Sequence, residues 1–265
     1  MKYIGIIPAR YGSSRFPGKP LALIGNKPMI ELVYEQARKG LSTVVVATDD
    51  RRIYDCVIGF GGEAVMTRSD HTCGTERCLE AWNHLSASAH YEPTETVIVN
   101  IQGDEPFIDP EEIKTVCQCF ENGAKTELAT LVQPFAATDS IEVLTNPNTP
   151  KVAIAFDRGS EEQGRALLFS RSVIPYIRGV QQEEWLQKGR FYRHIGLYAY
   201  RADVLPLITA LPPSTLEKEE SLEQLRWLEN GYEIRVAVSH AQRTFGIDTP
   251  DDLKRANDYW KNMPK

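Results

Sequence analysis

The sequence is poor in the features that mark membrane proteins and nucleic-acid-binding proteins. It has no run of 18 apolar residues, which excludes a transmembrane helix of ordinary length. Its 30 Lys and Arg are outnumbered by 36 Asp and Glu, giving a net charge of −6, whereas a general nucleic-acid binder needs a broad basic face. Only Lys2 precedes the first apolar segment, so we expect no signal peptide. These absences favour a globular protein whose partners are small molecules, with neither nucleic acid nor membrane among them.

Cysteine is scarce and is not arranged for metal binding. The five cysteines are Cys56, Cys73, Cys78, Cys117 and Cys119. Their number is odd and no C-x-x-C pair occurs, so neither a zinc site nor a disulfide framework is indicated. Reduced thiols are typical of the cytosol, and we therefore expect a cytoplasmic protein.

A loop near the N-terminus suits a polyphosphate although it lacks the two common phosphate-binding fingerprints. Residues 7–20 follow an apolar segment and contain Arg10, Gly12, Arg15, Gly18 and Lys19. Glycines let backbone N–H groups approach an anion, and the cations neutralise its oxygens. Five residues separate the glycines and Pro20 follows Lys19, so this is not a Walker A loop; no G-x-G-x-x-G is present either. We expect an anionic ligand here, with a basic surface loop as the alternative.

Apolar segments alternate with helical patterns along the first half of the chain. Strands are predicted at residues 3–7, 43–47, 63–66, 97–101 and 128–132, with helices between them. This alternation predicts an α/β, Rossmann-like fold with a mostly parallel sheet and helices on both faces. Ligands of such sheets bind beyond the carboxyl ends of the strands.

The regular alternation of predicted strands and helices is lost between about residues 134 and 200. Strand-like pieces there are separated by polar stretches rich in Pro, Asn, Gly and Gln. We interpret residues 1–265 as a single domain that carries a smaller inserted lobe at about 134–200.

Two aspartates follow apolar segments without an evident structural duty. Asp104 lies in the segment 100–106 after the fourth strand, and Asp248 precedes the last helix. Asp109 and Thr249 are better placed to cap the neighbouring helices. A carboxylate among phosphate-binding cations would repel the ligand unless a divalent ion intervened, and oxygens shared with phosphate are typical of magnesium sites. The sequence thus predicts Asp104 and Asp248 as Mg²⁺ ligands, with a turn-capping role for Asp104 as the alternative.

Six segments in chain order resemble motifs of the sugar-activating cytidylyltransferases, most closely those that activate 3-deoxy-manno-octulosonate (Kdo). They are residues 8–21 (PARYGSSRFPGKPL), 73–77 (CGTER), 100–106 (NIQGDEP), 169–171 (FSR), 193–198 (RHIGLY) and 222–226 (LEQLR). The resemblance implies a nucleotide-diphospho-sugar transferase fold and a homodimer. It also implies an Mg²⁺-dependent enzyme that couples CTP to Kdo with release of pyrophosphate, for lipopolysaccharide synthesis.

The resemblance also implies a nucleotide site. The triphosphate is expected at Ala9, Arg10, Arg15 and Lys19, and the base and ribose near Gly74, Thr75 and Gln102. The catalytic residues it implies are Arg10, Lys19, Asp104 and Asp248. One position departs from the pattern, because Cys73 stands where the family commonly has a small hydroxylic residue. A nucleophilic role for Cys73 is not needed, since no covalent step is implied.

The sugar-acid site implied by the resemblance comprises Arg171, His194, Tyr198, Glu220 and Gln224. Arginine can hold a carboxylate through two hydrogen bonds, although an ion pair with a local acid would also explain Arg171. A helix predicted from about 221 to 230 would place Glu220, Glu223 and Gln224 on one face, which a solvated surface explains equally well. A structural, hydrogen-bonded role is the alternative for His194.

Three other functions remain open from the sequence. The same scaffold could activate another acidic sugar, such as sialic acid or an amino-substituted Kdo. A nucleotide sensor without catalysis would keep the phosphate loop but would not need both aspartates. A nicotinamide-dependent dehydrogenase is disfavoured by the missing dinucleotide fingerprint.

Overall fold

The computed structural model describes residues 1–12, 15–121, 126–242 and 245–262. The strands are β1 (Lys2–Ala9), β2 (Leu23–Ile24), β3 (Lys27–Pro28), β4 (Val44–Thr48), β5 (Ala64–Met66), β6 (Thr96–Asn100), β7 (Leu128–Pro134), β8 (Lys151–Phe156), β9 (Gln163–Ser170), β10 (Tyr192–Arg201) and β11 (Ile234–Val238). The helices are α1 (Met29–Gly40), α2 (Arg51–Gly59), α3 (Gly74–Ser88), α4 (Pro110–Gln118), α5 (Ile141–Thr145), α6 (Trp185–Lys188), α7 (Leu205–Thr209), α8 (Thr215–Glu220), α9 (Gln224–Glu229) and α10 (Pro250–Asn262).

The chain divides into two compact units. The first unit comprises Met1–Lys114, Arg201–Thr209 and Ala241–Lys265, and the second comprises Thr115–Tyr200 and Ala210–His240. The sequence predicted a lobe at about 134–200, which falls inside the second unit.

The first unit contains a parallel sheet with the strand order β5-β4-β1-β6. The central strand β1 carries Ile4, Ile6 and Ile7, all with no exposed surface, and every residue of β4 and β6 is buried. Burying one such side chain contributes about 1.5–3 kcal/mol. Strands buried on both faces need helices on both sides, which confirms the predicted α/β class.

The second unit contains a mixed sheet with the order β10-β7-β11-β9-β8. Only β7 and β11 run parallel among its described pairings; β10 with β7, β11 with β9 and β8 with β9 are antiparallel. The predicted parallel character therefore belongs to the first unit, whereas most strand pairs of the second are antiparallel.

Most predicted elements are present with shifts of a few residues, but the helix predicted from about 221 to 230 is wrong at its start. Ser221 adopts the left-handed conformation, with φ 50°, and ends α8; the next helix begins at Gln224. Ser214 and Glu217 form a capping box that starts α8. No helix in the described ranges combines the length and apolar character that crossing a membrane requires.

Candidate active site

The first unit contains a cavity of about 330 Å³ at the ends of β1 and β6 and the N-terminus of α3. The predicted nucleotide and metal residues that line it are Ala9, Arg10, Arg15, Lys19, Gly74, Gln102, Asp104 and Asp248. Thr75 does not line the cavity, because its side chain is buried within α3. Positions up to 239 residues apart in sequence thus meet at the carboxyl edge of a parallel sheet, where ligands of such sheets bind.

Two glycines allow the backbone to form this cavity. Gly18 has φ 72°, a conformation that other residues rarely adopt, and its N–H donates to the carbonyl of Tyr11 at 2.9 Å. A Cβ at Gly103 would lie 2.8 Å from the carbonyl oxygen of Pro8, so only glycine lets the loop after β6 pack against the end of β1. The loop carrying Lys19 and the loop carrying Asp104 are therefore both shaped by glycine.

The two predicted metal ligands, Asp104 and Asp248, both contact the ammonium of Lys19. The N–H of Ile247 donates to the carbonyl of Asp104 at 2.9 Å, which joins the two aspartate-bearing segments. The ammonium of Lys19 donates to Asp104 Oδ2 at 2.8 Å and to Asp248 Oδ1 at 3.1 Å. Arg15 Nη2 lies 3.2 Å from the other oxygen of Asp248. Both carboxylates therefore reach a single positive charge, as two magnesium ligands must.

Neither aspartate side chain caps a helix. Asp109 accepts from the N–H of Glu111 at 2.9 Å at the start of α4, and Thr249 exchanges hydrogen bonds with Asp252 at the start of α10. The Asp104 carboxylate bonds the Lys19 ammonium rather than a helix N-terminus, and no cluster of three potential metal ligands occurs among the described residues. A metal ion here would use two carboxylates together with ligand oxygens, as magnesium commonly does.

The charges of the site are unevenly compensated. Arg10 is exposed and pairs with no described acidic residue, so its charge is available to a ligand. Burial, together with the charges of Asp104 and Glu112, raises the pKa of Glu105 to about 8. A carboxyl with this pKa is mostly protonated near neutral pH, so Glu105 adds little negative charge beside Asp104.

The sequence analysis missed two residues that shape the cavity. His71 is 6% exposed at its side chain and its Nε2 contacts Glu80 on α3, while the N–H of the neighbouring Thr72 donates to Glu76 at 2.6 Å. Glu76 and Glu80, two acidic residues four positions apart and so on the same face of α3, are the sequence signal that could have indicated this support.

Arg77 is the other missed residue. It is 3% exposed and donates to Asp49 at 3.1 Å and to Thr67 at 2.5 Å. Arg77 belongs to the recognised CGTER segment, but only the folded structure shows that it joins α3 to the loops after β4 and β5.

Cys73 occupies the N-cap of α3, lines the cavity, and makes no side-chain capping hydrogen bond. Since Gly74 opens the helix, the backbone N–H groups of this 15-residue helix provide the anion-binding capacity whatever the side chain at position 73.

The second unit holds the predicted sugar-acid residues, and a polar network joins two of them. Glu220 accepts from the hydroxyl of Ser170 at 2.6 Å and from the N–H of Arg171 at 2.8 Å. Arg171 Nε in turn donates to the carbonyl of Glu220 at 2.5 Å. These bonds attach the end of β9 to the C-terminus of α8.

The other sugar-acid residues are neutral and largely buried. His194 Nε2 lies 3.0 Å from Thr130 Oγ1, and burial lowers the pKa of His194 to about 3. The hydroxyl of Tyr198 and the amide Nε2 of Gln224 are buried without a hydrogen-bond partner in the part of the chain that the structure describes. Buried polar atoms are normally paired, so these two indicate a polar ligand.

The reason predicted for grouping Glu220, Glu223 and Gln224 is wrong. They do not share the face of one helix, because the left-handed Ser221 separates α8 from α9. Gln224 is instead one helical turn from Trp227, whose ring meets Tyr198 edge-on at 5.3 Å. The contact to β10, rather than helix periodicity, brings Gln224 towards Tyr198.

The chain is similar to known cytidylyltransferases. A family profile described as Cytidylyltransferase matches residues 4–234. The 3-deoxy-manno-octulosonate cytidylyltransferase of Parabacteroides distasonis is 56% identical, with 97% of each chain covered, and that of Phocaeicola vulgatus is 54% identical, with 98% covered. A solved structure of CMP:2-keto-3-deoxy-manno-octonic acid synthetase complexed with CTP superposes with a TM-score of 0.83 at 40% identity, covering 98% of this chain and 99% of that one.

Identity at this level over nearly the full length excludes a likeness confined to the fold or to one motif. The six recognised segments and the matched profile describe the same relationship. The chain belongs to the 3-deoxy-manno-octulosonate cytidylyltransferase family.

Proposed function

We propose that this protein is an Mg²⁺-dependent enzyme that couples CTP to Kdo and releases pyrophosphate. The observation that carries the proposal is the placement of Asp104 and Asp248 around one cation, in a cavity that also presents Arg10 and Arg15. The family membership supplies the substrates: the relatives are named for this reaction, and the similar solved structure holds CTP.

The reaction is an in-line displacement at the α-phosphorus of CTP. The anomeric oxygen of Kdo forms a bond to that phosphorus and gives up its proton, while the bond from the α-phosphorus to the bridging oxygen breaks and pyrophosphate leaves. Such transfers depend mainly on positioning and on neutralisation of charge. Arg10, Arg15 and Lys19 stabilise the negative charge that accumulates on the departing phosphates.

Asp104 and Asp248 would hold the magnesium ion. When bound, the ion would neutralise phosphate oxygens and help to orient them. Lys19 lies between the two carboxylates, so its ammonium is placed beside the position that the ion and the phosphates would share.

On the acid side, Arg171 would bind the carboxylate of Kdo. The buried Tyr198 hydroxyl and Gln224 amide would hydrogen-bond its hydroxyl groups, which would satisfy both orphaned atoms. His194, kept neutral by burial, can accept or donate one hydrogen bond to a hydroxyl without adding charge.

The proposal is tested by pyrophosphate release. The purified protein with CTP, Mg²⁺ and Kdo should release pyrophosphate, and the rate should fall to background in excess EDTA. Sialic acid and an amino-substituted Kdo, compared by kcat/KM, test the rival substrates; a higher value for either would reassign the acceptor. Binding of CTP without pyrophosphate release from any acid would instead support a nucleotide sensor.

We also propose that the protein acts as a homodimer in the cytoplasm. The five cysteines all lie in the described ranges and form no disulfide, which suits a reducing compartment. Sedimentation at micromolar concentration should give about twice the chain mass of 29.9 kDa; a monomer with full activity would contradict the dimer.

A further inference from the structure

Lys151, the first residue of β8, is a buried charge that the proposed reaction does not use. Its side chain has no exposed surface. Its ammonium donates to the carbonyls of Asn146 at 3.0 Å, Thr149 at 2.8 Å and Arg171 at 2.6 Å. An ammonium has three N–H donors, so all of them are satisfied by backbone. No described carboxylate lies within ion-pair distance of it, which makes this an expensive group to bury for packing alone.

The three carbonyls join two segments of the second unit. Asn146 and Thr149 belong to one turn, closed by a 3.1 Å hydrogen bond from the N–H of Thr149 to the carbonyl of Asn146. Arg171 directly follows β9. The guanidinium of Arg171 also contacts that turn, since Nη1 donates to the carbonyl of Pro147 at 2.9 Å. Lys151 therefore fixes both the backbone of Arg171 and the turn against which its side chain lies.

The guanidinium of Arg171 is held by carbonyls and keeps its charge uncompensated. Besides Pro147, it donates to the carbonyl of Glu220 at 2.5 Å through Nε and to that of Ser221 at 3.2 Å through Nη2. Two of its five N–H donors remain, one on each terminal nitrogen. No described carboxylate forms an ion pair with the guanidinium, so it is oriented by neutral groups and ready to bind an acid.

We propose that Lys151 is a positioning residue for acid binding: it holds the turn 146–149 and the backbone of Arg171 so that the guanidinium faces the carboxylate of the acceptor. The inference rests on the proposed function, in which Arg171 binds that carboxylate. Burial lowers the pKa of Lys151, while the negative charge of Glu220 acts against this shift. The lysine acts through Arg171 and does not touch the substrate.

The test is the substitution Lys151→Met, which keeps the length of the side chain and removes its donors. We expect the KM for Kdo to rise by about 10-fold or more while the KM for CTP stays within about 2-fold, because only the acid-binding group is displaced. Arg171→Ala should give the same split. The matched control is Lys188→Met, at an exposed lysine of the same unit, which should change neither KM.

One further variant and a measurement of stability decide the other outcomes. Lys151→Gln retains donors without charge and should show an intermediate KM for Kdo. A lower kcat or thermal midpoint with an unchanged KM for Kdo would overturn the inference, because it would show a purely structural role. Failure of both variants to fold, judged by lost CTP binding, would overturn it as well. If the wild-type protein itself releases no pyrophosphate with Kdo, the proposed function fails first, and the two failures are thereby distinguished.

Discussion

The two groups of candidate residues differ in charge and in burial. In the first unit charged side chains line the cavity: Arg15 and Asp248, 67% and 48% exposed, form an ion pair, and Lys19, 15% exposed, bridges two carboxylates. In the second unit the predicted hydroxyl-binding atoms are neutral and buried, with Tyr198 8% and Gln224 4% exposed. A triphosphate must have its charge neutralised, whereas a sugar is distinguished by hydrogen bonds to groups that are otherwise unsatisfied. The comparison predicts that substitutions in the first unit affect turnover and those in the second affect acceptor affinity.

The largest effect is expected at Asp104. Asp104→Asn keeps the shape of the side chain but removes a charge from the cation site, so kcat should fall by about 100-fold or more. Steady-state pyrophosphate release measures this, with circular dichroism as the check on folding. Asp258→Asn, at an exposed aspartate of α10, is the control and should leave kcat unchanged. Near-normal turnover of the Asp104 variant would remove this residue from the metal site.

Lys19→Met should have the next largest effect and two opposite consequences. Loss of the ammonium should reduce kcat/KM for CTP by about 100-fold, because phosphate charge is less well neutralised. In the absence of nucleotide, Mn²⁺ should bind more tightly than to the wild type, since the lysine no longer competes for Asp104 and Asp248. Calorimetry measures the second effect, and Lys39→Met on α1 is the control. Weaker Mn²⁺ binding would mean that the aspartates do not share a cation site.

Tyr198→Phe tests the comparison in the second unit. Because the hydroxyl is buried and has no hydrogen-bond partner within the described ranges, its removal should leave the thermal midpoint unchanged or raise stability by up to about 1 kcal/mol. The KM for Kdo should nevertheless rise by about 10-fold, because a hydrogen bond to the acceptor is lost. Tyr200→Phe, on the ring stacked 6.0 Å away, is the control and should not change that KM. A stability loss with an unchanged KM would show that the hydroxyl serves the fold.

The last effect is confined to stability in acid and concerns His194. Its pKa is lowered from 6.5 to about 3 by burial, so between these values the unfolded chain binds a proton that the folded protein does not. The corresponding stability is present above pH 6.5 and is lost as the pH falls towards 3, by up to about 1.4 kcal/mol per pH unit. Urea unfolding from pH 7 to 4 should show a shallower decline for His194→Gln than for the wild type. His90→Gln, at an exposed histidine, should retain the wild-type slope.

The sequence predicted the first unit well because its signals are local. Continuous apolar segments give buried parallel strands, and the capping residues Asp109 and Thr249 start their helices as expected. Because Asp109 and Thr249 cap the helices, the sequence left Asp104 and Asp248 as candidates for another role. The second unit was predicted less well: its antiparallel pairings depend on register between distant segments, and a left-handed Ser221 is not signalled by residue type.

In both units the sequence analysis mainly missed charged residues that are buried. Arg77 and Lys151 look like ordinary surface cations in the sequence, yet both are almost fully buried and satisfied by groups up to 28 residues away. Burial of a charge depends on which carbonyls and carboxylates the folded chain places around it. The periodicity of the sequence does not indicate these neighbours.

The sequence by itself determined the family, the α/β class and the identity of the residues that bear charge, because these follow from residue types and their order. Only the tertiary structure decided that Lys19 lies between Asp104 and Asp248, that the Tyr198 hydroxyl and Gln224 Nε2 have no hydrogen-bond partner among the described residues, and that Lys151 supports Arg171. The physical reason is that charge compensation and hydrogen-bond satisfaction depend on distances between atoms remote in sequence, which are set when the strands pair and the loops close over their ends.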